Sequence, residues 1–243
     1  FFLFLHTRSG LPHARIRTTT RMAGAEDSIR EEPEEGGFEY GRTAYWDSRY
    51  RREKVVFDWY QRYGDAVGDL VRREISEKGA AILDVGCGAS RLPQDLVEDG
   101  YSNVTAVDLS RAAVEFAKER SLGVAYHQMN ATALAFPDET FAAVLCKATL
   151  DVMVCGEAGP DAVLRACAEV FRVLAPGGLF LVVSCHDDLD DALDPDKANR
   201  PDFRWAVRRV PLPKPTPSPS HKHGCHYAYL CRKEAKKKKT NCC

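Results

Sequence analysis

A doubly wound, Rossmann-like α/β fold is predicted, with a mostly parallel seven-stranded sheet, an antiparallel edge strand and a single domain. Three observations predict it. Between residues 80 and 233 seven short apolar runs alternate with helical patterns. The runs are apolar almost throughout, as in a parallel sheet covered on both faces. A glycine turn then follows the first run, at the place where an open α/β sheet receives its ligand.

The elements follow in chain order. Strands are expected at 81–85, 104–109, 124–129, 142–146, 179–185, 204–210 and 225–232, rich in Val, Leu, Ile or aromatic residues. Helices are expected at 91–98, 111–120 and 161–174. Ser110 is placed to cap the second, and Val163, Leu164, Cys167, Val170, Phe171 and Leu174 make an apolar stripe on the third. The last two strands are joined by a Pro-rich stretch, five prolines from Pro211 to Pro219, with no helix. They are therefore expected to pair antiparallel at an edge.

The ends differ from the middle. Residues 1–22 carry a short apolar run and then arginines without acids, the look of an organellar transit peptide or of a translated leader before Met22. Seven acids with Pro33, Gly36 and Gly37 follow in 26–39, too polar to pack. The division expected is a disordered leader and acidic tail over 1–37, a helical lid over 38–79, the main domain over 80–234 and a basic tail over 235–243. That tail ends in Cys242 and Cys243 beside a lysine run. Prenylation would suit such a pair, although a solvated tail is the expectation.

Composition excludes several classes. The 243 residues are 44% hydrophobic and 28% charged, with a net charge of −1, so the chain is not basic throughout. The charge is uneven, with eleven Lys/Arg against two acids after residue 200. No apolar run approaches the roughly 18–20 residues of a spanning helix. Nine cysteines without regular spacing argue against a disulfide framework and for a reducing compartment. A cytoplasmic location is expected, organellar only if 1–22 is a transit peptide. His221, His223, Cys225 and His226 lack a second half-site, so no metal is expected there.

The chemistry begins at Asp84-Val85-Gly86-Cys87-Gly88. Glycines there permit a tight turn and close approach of a ligand. Asp108, twenty residues after Gly88, closes the next strand and suits the two hydroxyls of a ribose. The third small residue of a dinucleotide fingerprint is replaced by Arg91, and no triphosphate loop is present. Asp84 would repel a pyrophosphate and attract a cationic amino-acid group. The ligand expected has a ribose, a positive end and no phosphate, and S-adenosylmethionine fits all three.

These residues, with Asn130-Ala131-Thr132 and Leu174-Ala175-Pro176-Gly177-Gly178, resemble the motifs of class I, seven-stranded S-adenosylmethionine-dependent methyltransferases. Tyr45-Trp46-Asp47-Ser48-Arg49-Tyr50, Phe57-Asp58-Trp59-Tyr60 and Lys147-Ala148-Thr149-Leu150-Asp151 further resemble the lysine methyltransferases of elongation factor 1-alpha. Three residues depart from that pattern. Cys146 replaces an acid, Ala148 a glycine near the target-lysine channel that the resemblance implies, and Ala142 an aspartate.

The resemblance implies roles. Gly86 touches the methionyl part and Asp108 takes the ribose, with Asp84 and Gly88 also counted among the cofactor-binding residues. Leu109 flanks the adenine, Asn130 and Ala131 meet its edge, and Lys147 lies beside the cofactor. Trp46, Tyr50 and Trp59 fold over it as a lid, where aromatic faces attract a sulfonium. No catalytic residue is assigned outright; Lys147, Thr149 and Asp151 are candidates. The expected enzyme is a monomer that methylates a lysine of a protein, elongation factor 1-alpha above others, without binding nucleic acid. A small-molecule methyltransferase and a non-catalytic scaffold share the same cofactor fold. Only the Asp-rich loop 186–196 is inserted late in the chain, too little for a closed cap, which favours a protein acceptor.

Overall fold

A computed structural model describes residues 40–156, 158–215 and 225–235. The leader 1–37, His221 and His223, and the terminal lysines with Cys242 and Cys243 lie outside the described residues. Among those described, no helix is long and apolar enough to cross a membrane.

The seven strands are β1 (Ile82–Val85), β2 (Val104–Asp108), β3 (Val124–Gln128), β4 (Phe141–Lys147), β5 (Leu174–Ser184), β6 (Trp205–Pro213) and β7 (Cys225–Lys233). They form one sheet in the order β3-β2-β1-β4-β5-β7-β6. The first five are parallel, and β7 runs antiparallel to both β5 and β6. The chain leaves β1 on one side to form β2 and β3, and on the other to form β4 and β5. The carboxyl ends of β1, β2 and β4 therefore flank the switch point where ligands bind in such sheets.

Both faces are covered. On one, α6 (Gly159–Val173) packs Val163, Cys167, Val170 and Val173 against Val144, Phe180 and Trp205. On the other, α2 (Gly68–Glu74) and α3 (Leu92–Glu98) set Leu70, Val71 and Leu96 against Ile82, Leu145 and Leu181. This sandwich explains the nearly continuous apolar strands. α4 (Arg111–Arg120) starts where the sequence places it, with the Ser110 hydroxyl accepting from the Ala113 amide at 3.2 Å.

Four features depart from the sequence expectation. β6 runs three residues further, through Pro211 to Pro213. Proline is tolerated there because β6 is the outermost strand, so a missing N–H disrupts no inner ladder. β5 begins at Leu174, taking in the Pro-Gly-Gly stretch as its irregular start. A short helix, α5 (Thr149–Val154), follows β4; six residues are too few to show a period. The expected helical lid over 38–79 divides in two. Its second half packs Tyr63, Val67, Leu70, Val71 and Ile75 into the core. Its first half is an arm: α1 (Thr43–Arg52), which has no buried residue, followed by an extended stretch.

Candidate functional site

The cleft at the switch point is lined from five directions. β1 and its turn contribute Asp84 to Ser90, β2 contributes Asp108 and Leu109, and the loop after β3 contributes Met129 to Ala131. The end of β4 and α5 contribute Lys147 to Thr149, Val152 and Met153. The arm contributes Trp46, Tyr50, Phe57 and Trp59. The open space of the cleft, solvent at its mouth included, is about 1050 Å³.

The glycine turn is built by the chain's own packing. Gly86 has φ +76°, and a Cβ on it would overlap the Thr149 side chain. Gly88 has φ +51°, and a Cβ there would stand 2.5 Å from the Tyr50 hydroxyl. Gly86 thus demands glycine before any ligand is considered, and the left-handed φ of Gly88 favours it there as well. Thr149 Oγ1 donates to the Val85 carbonyl at 3.1 Å, tying α5 to the turn. Asp108 ties the turn to β2: its Oδ2 accepts from the Gly88 amide and its Oδ1 from the Ser110 amide, each at 2.8 Å. Every carboxylate oxygen has a second acceptor site, so Asp108 retains capacity toward the cleft. Burial raises its pKa, and the backbone bonds oppose the rise.

Asp84 differs. It is buried on the cleft floor, and its Oδ2 has no hydrogen-bond partner. Burial pushes its carboxyl up to about 7, with the nearby Lys147 charge pulling the other way. A buried carboxylate oxygen without a partner is costly, and a cation entering the cleft would relieve the cost.

The arm is held over the cleft at two aspartates. Asp47, in α1, accepts from the Ser110 hydroxyl at 2.8 Å and the Ala112 amide at 3.1 Å, at the start of α4. Those bonds hold its carboxyl below the usual range. Asp58 accepts from the Ser90 hydroxyl and from Lys147 Nζ at 3.0 Å. That ion pair is buried, with the side chains 7% and 5% exposed. Lys147 also donates to the Trp59 carbonyl at 3.2 Å. It is therefore a clamp on the arm rather than a free amine.

Between these anchors lies an aromatic stack. Trp46 and Tyr50 have ring centroids 5.8 Å apart at 28°, and Trp59 meets Trp46 edge-on at 6.3 Å. The Arg49 guanidinium lies 5.6–5.8 Å from the rings of Trp46, Phe57 and Trp59.

The other expected residues fall at the rim or away from it. Leu109 is 41% exposed at the mouth. Ala131 lines the cleft, and the Asn130 side-chain oxygen accepts from the Thr132 amide and hydroxyl, each at 2.9 Å. Asp151 does not line the cleft. α5 turns it toward β5, where the Ser184 hydroxyl donates to its Oδ1. The sequence motifs contain Phe57 and Asp58 without assigning them a role, and they do not contain Ser90 or Met129. Asp58 sits inside a quoted motif, but its partner Lys147 is 89 residues away.

Ala148, the departure from glycine, has φ +66° and is buried. The position requires the left-handed region, which costs an L-residue about 1–2 kcal/mol. Part of that is offset by the greater freedom of glycine when unfolded. Ala148→Gly is expected to stabilise the protein by about 0.5–1 kcal/mol, seen as a rise of a few degrees in Tm. A fall in Tm would mean that the methyl group's packing outweighs the strain.

Comparison with known proteins bears on the same residues. Residues 83–182 match the family model described as a methyltransferase domain. The "eEF1A lysine and N-terminal methyltransferase" of Mus musculus is 35% identical over 153 residues, 60% of this chain and 22% of that protein. The Mus musculus "EEF1A lysine methyltransferase 4" is 34% identical over 160 residues, 60% of this chain and 62% of that protein. The chain thus spans about a fifth of the first relative and less than two thirds of the second. Among solved structures, an S-adenosylmethionine-dependent methyltransferase from Methanosarcina mazei has a TM-score of 0.56 at 18% identity, covering 69% of this chain and 98% of that one. One from Mesorhizobium loti has a TM-score of 0.51 at 16% identity, covering 70% and 99%. These structures share the fold.

Proposed function

From the premise that the chain carries a methyltransferase domain, we propose that it transfers a methyl group from S-adenosylmethionine to a lysine of a protein, with elongation factor 1-alpha as the acceptor. The observation that carries this reading is Asp84, a buried carboxylate on the cleft floor with one oxygen unpartnered. It suits the α-amino group of the cofactor. The remaining donors and surfaces fit as well: Asp108 for the ribose, Leu109, Asn130 and Ala131 around the adenine, and Gly86 and Gly88 for close approach. The names of the relatives support the acceptor.

When bound, S-adenosylmethionine supplies a methyl group activated on a sulfonium. The chain's part is to align and to exclude water, since such a displacement needs geometry more than acid–base groups. Trp46, Tyr50 and Trp59 serve as the lid over 40–61 and present aromatic faces to the cation. Lys147, through Asp58, and Thr149, through the glycine turn, are positioning residues. Asp151 is given no proton to carry. An unperturbed lysine has a pKa near 10.4, and desolvation beside the aromatic wall would lower it so that the proton leaves to solvent.

Two experiments test the reading. Incubation of the protein with methyl-labelled donor and purified elongation factor 1-alpha should place label on a lysine; label confined to small molecules would overturn the protein acceptor. Asp108→Ala should weaken cofactor binding roughly ten- to a hundredfold, the value of a charge-assisted bond of about 1.5–3 kcal/mol. Unchanged affinity by calorimetry would remove Asp108 from the site.

The raised pKa of Asp84 gives a pH dependence. An acid whose pKa is raised to about 7 is increasingly protonated as pH falls below 7, and only the ionised form attracts an ammonium. Cofactor affinity should therefore fall from pH 8 to pH 6, by up to about tenfold per unit below the pKa. Asp84→Asn should bind more weakly and lose that slope. A flat profile in the wild-type chain would show that Asp84 does not meet the amine.

A further inference from the structure

A second group of chemically active side chains lies across β4 from the cleft, at the end of β5. We propose that Asp151, Cys185 and His186 form a binding site for one zinc-class divalent cation. Their ligand atoms, a carboxylate oxygen, a thiol sulfur and an imidazole nitrogen, all lie within 4.8 Å of one another. The tetrahedral zinc bond lengths of about 2.0–2.3 Å require ligand atoms roughly 3.3–3.8 Å apart. Small rotations of Cys185 and His186, both exposed, close the difference.

A separate observation points to a ligand. Asp151 is buried, and its Oδ2 makes no hydrogen bond. The frame around it is rigid. Ser184, the last residue of β5, donates its hydroxyl to Asp151 Oδ1 and accepts from the His186 amide at 2.9 Å. The Tyr229 hydroxyl donates to the His186 carbonyl at 2.8 Å. One oxygen of the carboxylate is thus fixed, and the other faces the Tyr60 hydroxyl, which interacts with both Asp151 and Cys185 and would turn aside for a cation, with the outer partners orienting the metal ligand.

The donor set selects the ion. One sulfur, one nitrogen and one oxygen suit zinc and its borderline neighbours and not magnesium or calcium, which take oxygen alone. On binding, the Cys185 thiol loses its proton to solvent, and thiolate with carboxylate balances the two charges of the ion. Three protein ligands leave a fourth position, and the Tyr60 side chain lies toward Asp151 and Cys185. Tyr60 belongs to the arm at φ +62°, so an ion here would join the arm, α5 and β5. The site rests on its own donors and holds whether or not the methyl acceptor is a protein.

The full chain, stripped with a chelator, is titrated with Co²⁺ and then Zn²⁺. One equivalent of Co²⁺ should give a thiolate charge-transfer band in the near ultraviolet, and Zn²⁺, but not Mg²⁺, should abolish it. Cys185→Ser should lose the band, and His186→Ala should weaken binding by more than about tenfold, the scale of losses seen even for outer partners. Cys155→Ser and Cys225→Ser should keep it. Both test side chains are exposed, so the variants fold, and unchanged circular dichroism checks this. Absence of the band, or a band that survives Cys185→Ser, overturns the proposal.

Discussion

Asp58→Ala is expected to cost about 3–5 kcal/mol of stability, because it leaves the Lys147 ammonium buried without its counter-charge. For a chain of this length that is a fall in Tm of roughly 6–20 °C. Lys147→Met should do comparable damage from the other side. The double variant should recover much of the loss, since removing both charges spares the desolvation that either leaves behind. Urea denaturation of the four proteins gives the coupling directly, and simple additivity would show that the pair is not a unit. Cofactor affinity should also fall in each single variant. The clamp fixes the Trp59 carbonyl as well as Asp58, and without it the inner end of the arm is no longer registered on the glycine turn.

Trp46→Ala separates a lid from a core. A tryptophan of the core costs about 3–5 kcal/mol when truncated. Trp46 is half-buried on a helix with no buried residue, stacked on Tyr50 and facing the cleft. Its loss should therefore spare most of the stability. Cofactor binding should weaken by about 1–3 kcal/mol, by analogy with the stacking of bases on aromatic side chains. Melting temperature and calorimetry on the same variant decide between the two. A large fall in Tm with unchanged affinity in the folded fraction would return Trp46 to the core.

The architecture was legible in the sequence because burial on two faces leaves a direct mark. A strand such as Leu179 to Val183 is apolar at every position, and the one-sided stripe of α6 repeats often enough to be seen. The floor of the cleft was legible for a related reason. Asp84, Gly86, Gly88 and Asp108 are tied to strand ends, and the strands located them. The arm was readable as motifs but not as contacts. Nothing local tells that Asp47 meets the start of α4, or that Asp58 meets Lys147 across 89 residues. Asp151 illustrates the opposite failure. It follows Thr149 by two residues, yet a helix rotates by about 100° per residue, so one side chain meets the turn and the other looks toward β5. With α5 unseen, both were expected at one site.

The two outermost strands decide how this molecule meets its own copies. A sheet edge offers unpaired amides and carbonyls on which a foreign strand can grow. Here one edge, β3, is only five residues long. The other, β6, carries Arg208 and Arg209 in its middle and prolines at 211 and 213. Two of its rungs therefore lack a donor, and Arg208 and Arg209, on opposite faces of the strand, are paired with Glu74 and Asp190. That composition discourages edge-to-edge association at high concentration and in partly folded chains. The prolines that blurred the end of β6 in the sequence thus guard the sheet against aggregation.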